Sequence, residues 1–137
     1  MKRGAGYFAL EDRDFDSCGD ISVENGVFEI AANATWLNGS NVCINGTGTL
    51  KLGASNRFDG RHVQFHLGAD ADGWSIDIPS GCSQTVDYAW DSEGNRLPCG
   101  VYGAVGVPGV THARYASHFP NGGVLKVRIH GTIVSFR

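Results

Sequence analysis

Residues 21–30, ISVENGVFEI, and residues 41–52, NVCINGTGTLKL, follow one scheme. Each carries a β-branched pair (Ile21 and Val23; Val42 and Ile44), turns at Asn-Gly, and resumes with two apolar residues separated by a polar one (Phe28 and Ile30; Leu50 and Leu52). A period of two is the pattern of a strand with one buried face, and Asn-Gly is turn chemistry. Such a unit fits a sandwich hairpin or one coil of a solenoid. The intervals favour the second: 22 residues separate Ile30 from Leu52, and 26 separate Leu52 from Ile78. Self-similarity at about 20 to 30 residues is the mark of coils that stack in parallel and bury a shared interior.

Further short alternating runs extend outward from this core: Val63, Phe65 and Leu67; Trp74, Ile76 and Ile78; Val86, Tyr88 and Trp90; Leu125, Val127 and Ile129. Each ends in Gly, Asn, Asp or Pro, and no window of eleven residues repeats apolar positions at three and four. The expected fold class is all-β: a short parallel β-helix with its first coils over 21–78, within one domain spanning 21–137. QTVDYAW, DSEGNR and LPCGVYG (84–103) read as an antiparallel hairpin capping the last coil, followed by a C-terminal strand in GVLKVRIHGTIVSFR. Parity changes in that segment at Gly131, which suggests a bulge or turn. Residues 1–20, with the acidic EDRDFD, read as an N-terminal extension or cap.

Composition narrows the function classes. The chain has 137 residues, 20 of them Gly, 18% charged and 42% hydrophobic, with a formal charge of −3. Glycine at about 15%, roughly twice the usual share, without a Gly-X-Y period or a polar tract, punctuates ordered structure. The scattered Lys and Arg form no stripe that could follow a phosphate backbone, so nucleic acid is disfavoured as a partner. No run reaches the roughly 18 apolar residues of a membrane span, and the N-terminus lacks a secretory h-region. Cys18, Cys43, Cys82 and Cys99 show no CxxC and no Cys/His spacing of a zinc site, so no metal or other cofactor is implied. Four separated cysteines suit two disulfides, and the spacings suggest Cys18 with Cys43, about one coil apart, and Cys82 with Cys99, flanking the hairpin.

NVCINGTGTLKLGASNRF, IDIPSGCSQTVDYAW and LPCGVYGA…HFPNGGVLKV resemble the autotransporter-associated β-strand repeat modules of large secreted bacterial proteins. The resemblance covers roughly residues 21–130. It implies a right-handed β-helix closed by a Gly-x-Tyr-Gly turn at Gly100–Gly103, a final strand opening at Gly122 and Gly123, and a secreted or cell-surface location, commonly beside glycan-degrading enzymes. Cys43, Cys82 and Cys99 depart from the small or aliphatic residues usual in that pattern.

No catalytic motif identifies a reaction: there is no Gly-x-Ser-x-Gly, and no Gly-rich run opens a helix that could cradle phosphate. His62 and His66 share a strand face but stand about 13 Å apart by strand rise, too far for one ion. His112, His118 and His130 read as surface or loop residues. Asp70-Ala71-Asp72-Gly73 contains part of a calcium-loop pattern without its remaining ligands, so a tight turn is favoured. Asn33, Asn38 and Asn45 open sequons that also read as turns. Asp70, Asp72 and Asp77 are the carboxylates a glycosidase or lyase would draw on. Sugars pack their C–H faces on aromatic rings while hydroxyls find amides and carboxylates. Trp74 and Trp36 therefore lead the carbohydrate-binding candidates, followed by Trp90, Tyr88 and Asp72, with core packing favoured for Tyr88 and Tyr102. The expected function is a non-catalytic extracellular module that binds a polysaccharide or acts as a spacer; the alternative is a small glycan-cleaving enzyme.

Overall fold

A computed structural model describes residues 6–16, 19–37, 41–59 and 63–129. The chain winds into a β-solenoid whose coils each supply one strand to successive sheets. The first coil carries β1 (Tyr7–Leu10), β2 (Asp14–Asp16) and β3 (Ile21–Val23). The second carries β4 (Val27–Ile30), β5 (Thr35–Leu37) and β6 (Asn41–Ile44), and the third β7 (Thr49–Leu52), β8 (Phe58–Asp59) and β9 (Gln64–Leu67). The fourth carries β10 (Ser75–Asp77), β11 (Ser83–Val86) and β12 (Tyr88–Trp90). Two sheets, β1-β4-β7-β10 and β3-β6-β9-β12, are four strands deep and wholly parallel; β2-β5-β8 forms a third face.

The register follows the intervals in the sequence. Ile30 pairs with Leu52, and Leu50 with Ile76 at the 26-residue spacing also seen between Thr49 and Ser75, whose hydroxyls meet at 2.9 Å. Inward positions stack into columns, Phe28, Leu50 and Ile76 on one face and Val42 and Phe65 on another, all buried. Aromatic rings cross the interior from Phe28 to Trp36, Phe58 and Phe65, with successive centroids 5.7 to 6.5 Å apart. Such edge and tilted contacts suit the quadrupoles of neighbouring rings.

Among the described residues the first solenoid strand is β1, so the segment read as an extension or cap supplies a strand to each of two sheets. The charged alternation of β2, Asp14-Phe15-Asp16, masks it, because only Phe15 packs inward. The cap also differs from the expected hairpin. Trp90 and Arg96 do form an antiparallel bridge around a turn built on Asp91, whose Oδ1 accepts from the amides of Glu93 and Asn95. Beyond it, β13 (Gly100–Tyr102) pairs antiparallel with β14 (Val124–Val127), and β14 inserts parallel to β11. Gly100–Gly103 is thus mostly strand rather than a closing turn. Gly122 and Gly123 do precede the final strand, and Gly123 permits the approach to β10, since a Cβ there would lie 2.4 Å from that of Ile78. The parity change at Gly131 lies outside the described residues.

The β11 segment stacks on the third coil without a regular ladder. Gln84, fully buried, accepts from the Phe58 amide at 3.1 Å and donates to the Phe58 carbonyl at 2.9 Å, so its carboxamide occupies the place of a neighbouring peptide group. Asn56 completes the junction, its amide donating to the Ser83 carbonyl and its side chain accepting from the Thr85 amide.

The thiols of Cys43, Cys82 and Cys99 are free, and the Cys82–Cys99 bridge is not formed. Cys82 precedes β11 and Cys99 precedes β13, with β14 between them and the two cysteines at its opposite ends. Strand spacing and rise place them more than about 10 Å apart, beyond the roughly 7 Å Cα limit of a bridge. Cys18 lies outside the described residues, and Cys43 faces outward between Ser22 and His66.

Candidate functional site

The outward face of β3-β6-β9-β12 carries polar and aromatic side chains in register. One rung holds Asn41, Gln64 and Tyr88; the next holds Ser22, Cys43, His66 and Trp90. His66 and Trp90 have nearly parallel rings, 10° apart with centroids at 6.2 Å. Hydrogen bonds fix the polar tips: the Trp90 indole N–H donates to Gln64 Oε1 at 3.0 Å, His66 Nε2 meets Asn41 Oδ1 at 3.0 Å, and Asp20 accepts from the Asn41 amide at 3.2 Å. Arg96 lies over the Tyr88 ring at 4.8 Å. These rings are half-buried rather than sealed in the core.

Burial lowers the His66 pKa, with Asp20 opposing, so the ring is neutral near pH 7 and serves as a flat hydrogen-bonding surface. Burial first, then Asp20 and Glu24, raise the Cys43 thiol, which leaves it protonated and a poor nucleophile. Beside the ladder, the turns after β9 and β12 enclose a cleft of about 460 Å³ lined by His66, Cys43, Asn45, Asp72, Asp91 and Ser92 among others.

No family model, curated protein or solved structure matches the chain. The site must therefore be read from its own residues.

The sequence candidates divide sharply. Trp90 and Tyr88 meet on the ladder and Asp72 stands on the cleft rim. Tyr88 is not a core residue, because buried Asp87 breaks the apparent run of Val86, Tyr88 and Trp90 into two strands on different sheets. Ala89 then points inward and its neighbours outward. Tyr102 is buried as expected, its hydroxyl donating to the Pro98 carbonyl. Trp74 is 1% exposed, so it is not the rim platform anticipated: its N–H donates to the Ala69 carbonyl at 2.8 Å and its ring stacks on His118 at 3.7 Å. Trp36 is half-buried, its ring packed against Phe28 and Phe58, in register with Phe15 and Phe58. His118, read as a surface residue, is 3% exposed with both ring nitrogens against the carbonyls of Trp74 and Asp70. His62, His130 and Asn38 lie outside the described residues. Asn41, Gln64 and Arg96 were missed because polar residues announce no face until the register is known; their signal is recurrence at nearly one coil length.

The carboxylates do not assemble as an acid/base pair. Asp70 makes a bidentate ion pair with Arg114, at 2.9 and 3.0 Å, and Asp91 approaches the same guanidinium at 3.4 Å. Asp77 accepts from Asn121, and the Asp70–Asp72 segment is a turn closed by the Asp72 amide on the Ala69 carbonyl. Hydrogen bonding from Arg114 lowers the Asp70 pKa, and backbone amides lower that of Asp91. A glycosidic general acid requires the opposite shift. Among the described residues no cluster of three metal-ligating side chains occurs.

This ion pair carries a pH signature. A carboxyl held below its unfolded pKa of about 3.9 stabilises the fold above that value and loses its contribution as pH falls through the lowered one. Arg114→Gln should cost up to about 1 kcal/mol near neutrality, limited by solvent screening. Urea unfolding followed from pH 7 down through the lowered carboxyl pKa should show the gap between variant and parent closing in acid; a gap that persists below it would assign the loss to packing over Tyr115 instead.

Proposed function

We propose that the chain is a non-catalytic, extracellular carbohydrate-binding module of the autotransporter-associated repeat kind, part of a bacterial glycan-acting or surface protein. The supporting observation is the ladder, where Trp90, Tyr88 and His66 stand in register beside Gln64 and Asn41 on one exposed sheet. Rings supply apolar area while amides and the neutral imidazole supply donors and acceptors, the mixture that recognises a sugar's two kinds of surface. Parallel strands repeat every 4.7 to 4.9 Å or so, which places equivalent groups at regular intervals along an extended chain of sugars.

A carbohydrate array followed by reducing-end analysis tests the reading. Binding without new ends supports it, new ends would make the protein an enzyme, and silence across the array would leave a structural spacer. With a bound glycan in hand, Trp90→Ala should weaken affinity at least about tenfold, which is 1.4 kcal/mol. Its melting temperature should stay within a few degrees, because the ring is half-buried. Undiminished affinity would remove the ladder as the site.

A further inference from the structure

The cleft beside the ladder has a charge character that bears on which glycan it would accept. His66 and Cys43 belong to both ladder and cleft, so a sugar laid along the rings would place a neighbouring unit between the turns at 69–72 and 91–95. Its volume of about 460 Å³ falls within the roughly 300 to 1,000 Å³ of small-ligand sites.

The acidic side chains in the lining are Asp72 and Asp91. Asp72 is exposed on the rim. Asp91 is 9% exposed and shares Arg114 with Asp70, which holds the guanidinium at 2.9 and 3.0 Å against 3.4 Å for Asp91, so one cation serves two carboxylates. Asp20 and Glu24 add negative potential at Cys43, on the ladder side. Arg96, bridged to Trp90 across the 91–95 turn that walls the cleft, directs its guanidinium over the Tyr88 ring. A narrow space between low-dielectric walls concentrates such a field.

We infer that this cleft takes a sugar unit without anionic substituents, so that the module selects neutral or amino-bearing glycans and rejects uronic or sulfated ones. A carboxylate or sulfate entering here would face the Asp72 carboxylate and an Asp91 whose one cation is shared with Asp70, whereas hydroxyls find acceptors in Asp72 and Asn45 and an amino group would gain an ion pair. The inference rests on the carbohydrate reading above.

The test pairs each neutral oligosaccharide that binds with its C6-carboxylated counterpart, keeping linkage and ring stereochemistry unchanged. The carboxylated form should bind at least about tenfold more weakly at low salt, and the ratio should narrow in 0.5 M salt as screening shortens the field to roughly 4 to 5 Å. Asp72→Asn, which keeps a turn-compatible residue, should narrow the same ratio at low salt. Equal or tighter binding of the carboxylated partner would overturn this inference and leave the carbohydrate reading standing. A ratio unmoved by both salt and Asp72→Asn would assign the discrimination to shape and also overturn it. Failure of every glycan to bind would remove both readings.

Discussion

Replacing Gln84 by methionine should lower unfolding free energy by about 3 kcal/mol, a loss expected for buried backbone groups left without partners. Methionine matches glutamine in length and volume, so packing is nearly conserved while every hydrogen bond of the carboxamide disappears. Those bonds join Gln84 to both the amide and the carbonyl of Phe58 and to the Thr85 carbonyl. Phe58 is 2% exposed, so water cannot replace the missing partners without opening the coil. For a domain of this size the change corresponds to a fall of about 10 °C in Tm. Denaturant melts of the two proteins would decide it: a difference under about 1 kcal/mol would mean that the junction is held by the apolar columns and that the side-chain clasp is incidental.

Trp74→Ala should be costlier, about 3 to 5 kcal/mol, as is usual when a buried large aromatic is truncated. The indole is wedged between Tyr115, His118 and the backbone of Gly68, where even a Cβ would come within 2.8 Å of its ring. Its removal leaves a cavity, takes one of two donors from the Ala69 carbonyl and frees His118 from its stacking partner. Tyr115→Phe is the matched control, because the Tyr115 hydroxyl is buried without a hydrogen-bond partner and its loss should change Tm little. A Trp74→Ala protein that melts with the parent would place the ring outside the core and restore it as a binding candidate.

The contrast between Trp74 and Trp90 shows where sequence reading stops. Columns such as Ile30 and Leu52 were legible because identical chemistry recurs at one coil length, and that interval is the register itself. Trp74 opens a strand after a Gly-containing turn, a setting that looks exposed locally. It is buried by His118, 44 residues downstream in the cap. Nothing periodic links those two positions. Tyr88 failed in the reverse sense: Val86, Tyr88 and Trp90 alternate perfectly, but a corner at Asp87 resets which parity faces inward. The cysteines misled for a third reason. Their spacing suggested proximity along the chain, whereas insertion of β14 between β11 and β13 separates Cys82 from Cys99 across the sheet. The amides of the proposed ladder, Asn41 and Gln64, belong to residues that acquire meaning only from their neighbours in adjacent coils.

The end of the coil stack opposite β1 bears on self-association. A parallel solenoid exposes strand edges at both ends, and unpaired edges recruit other chains. At the last coil each sheet is stopped by a different device: the Gln84 carboxamide against β8, the bridge from Pro79 to Gly122 beside β10, the bridge from Trp90 to Arg96 on β12, and antiparallel β13, itself covered by Thr111 and His112. Endless head-to-tail filaments require two complementary open ends on every copy. Among the described residues one such end is open at most, so end-to-end growth through these strand edges terminates after a single joining event.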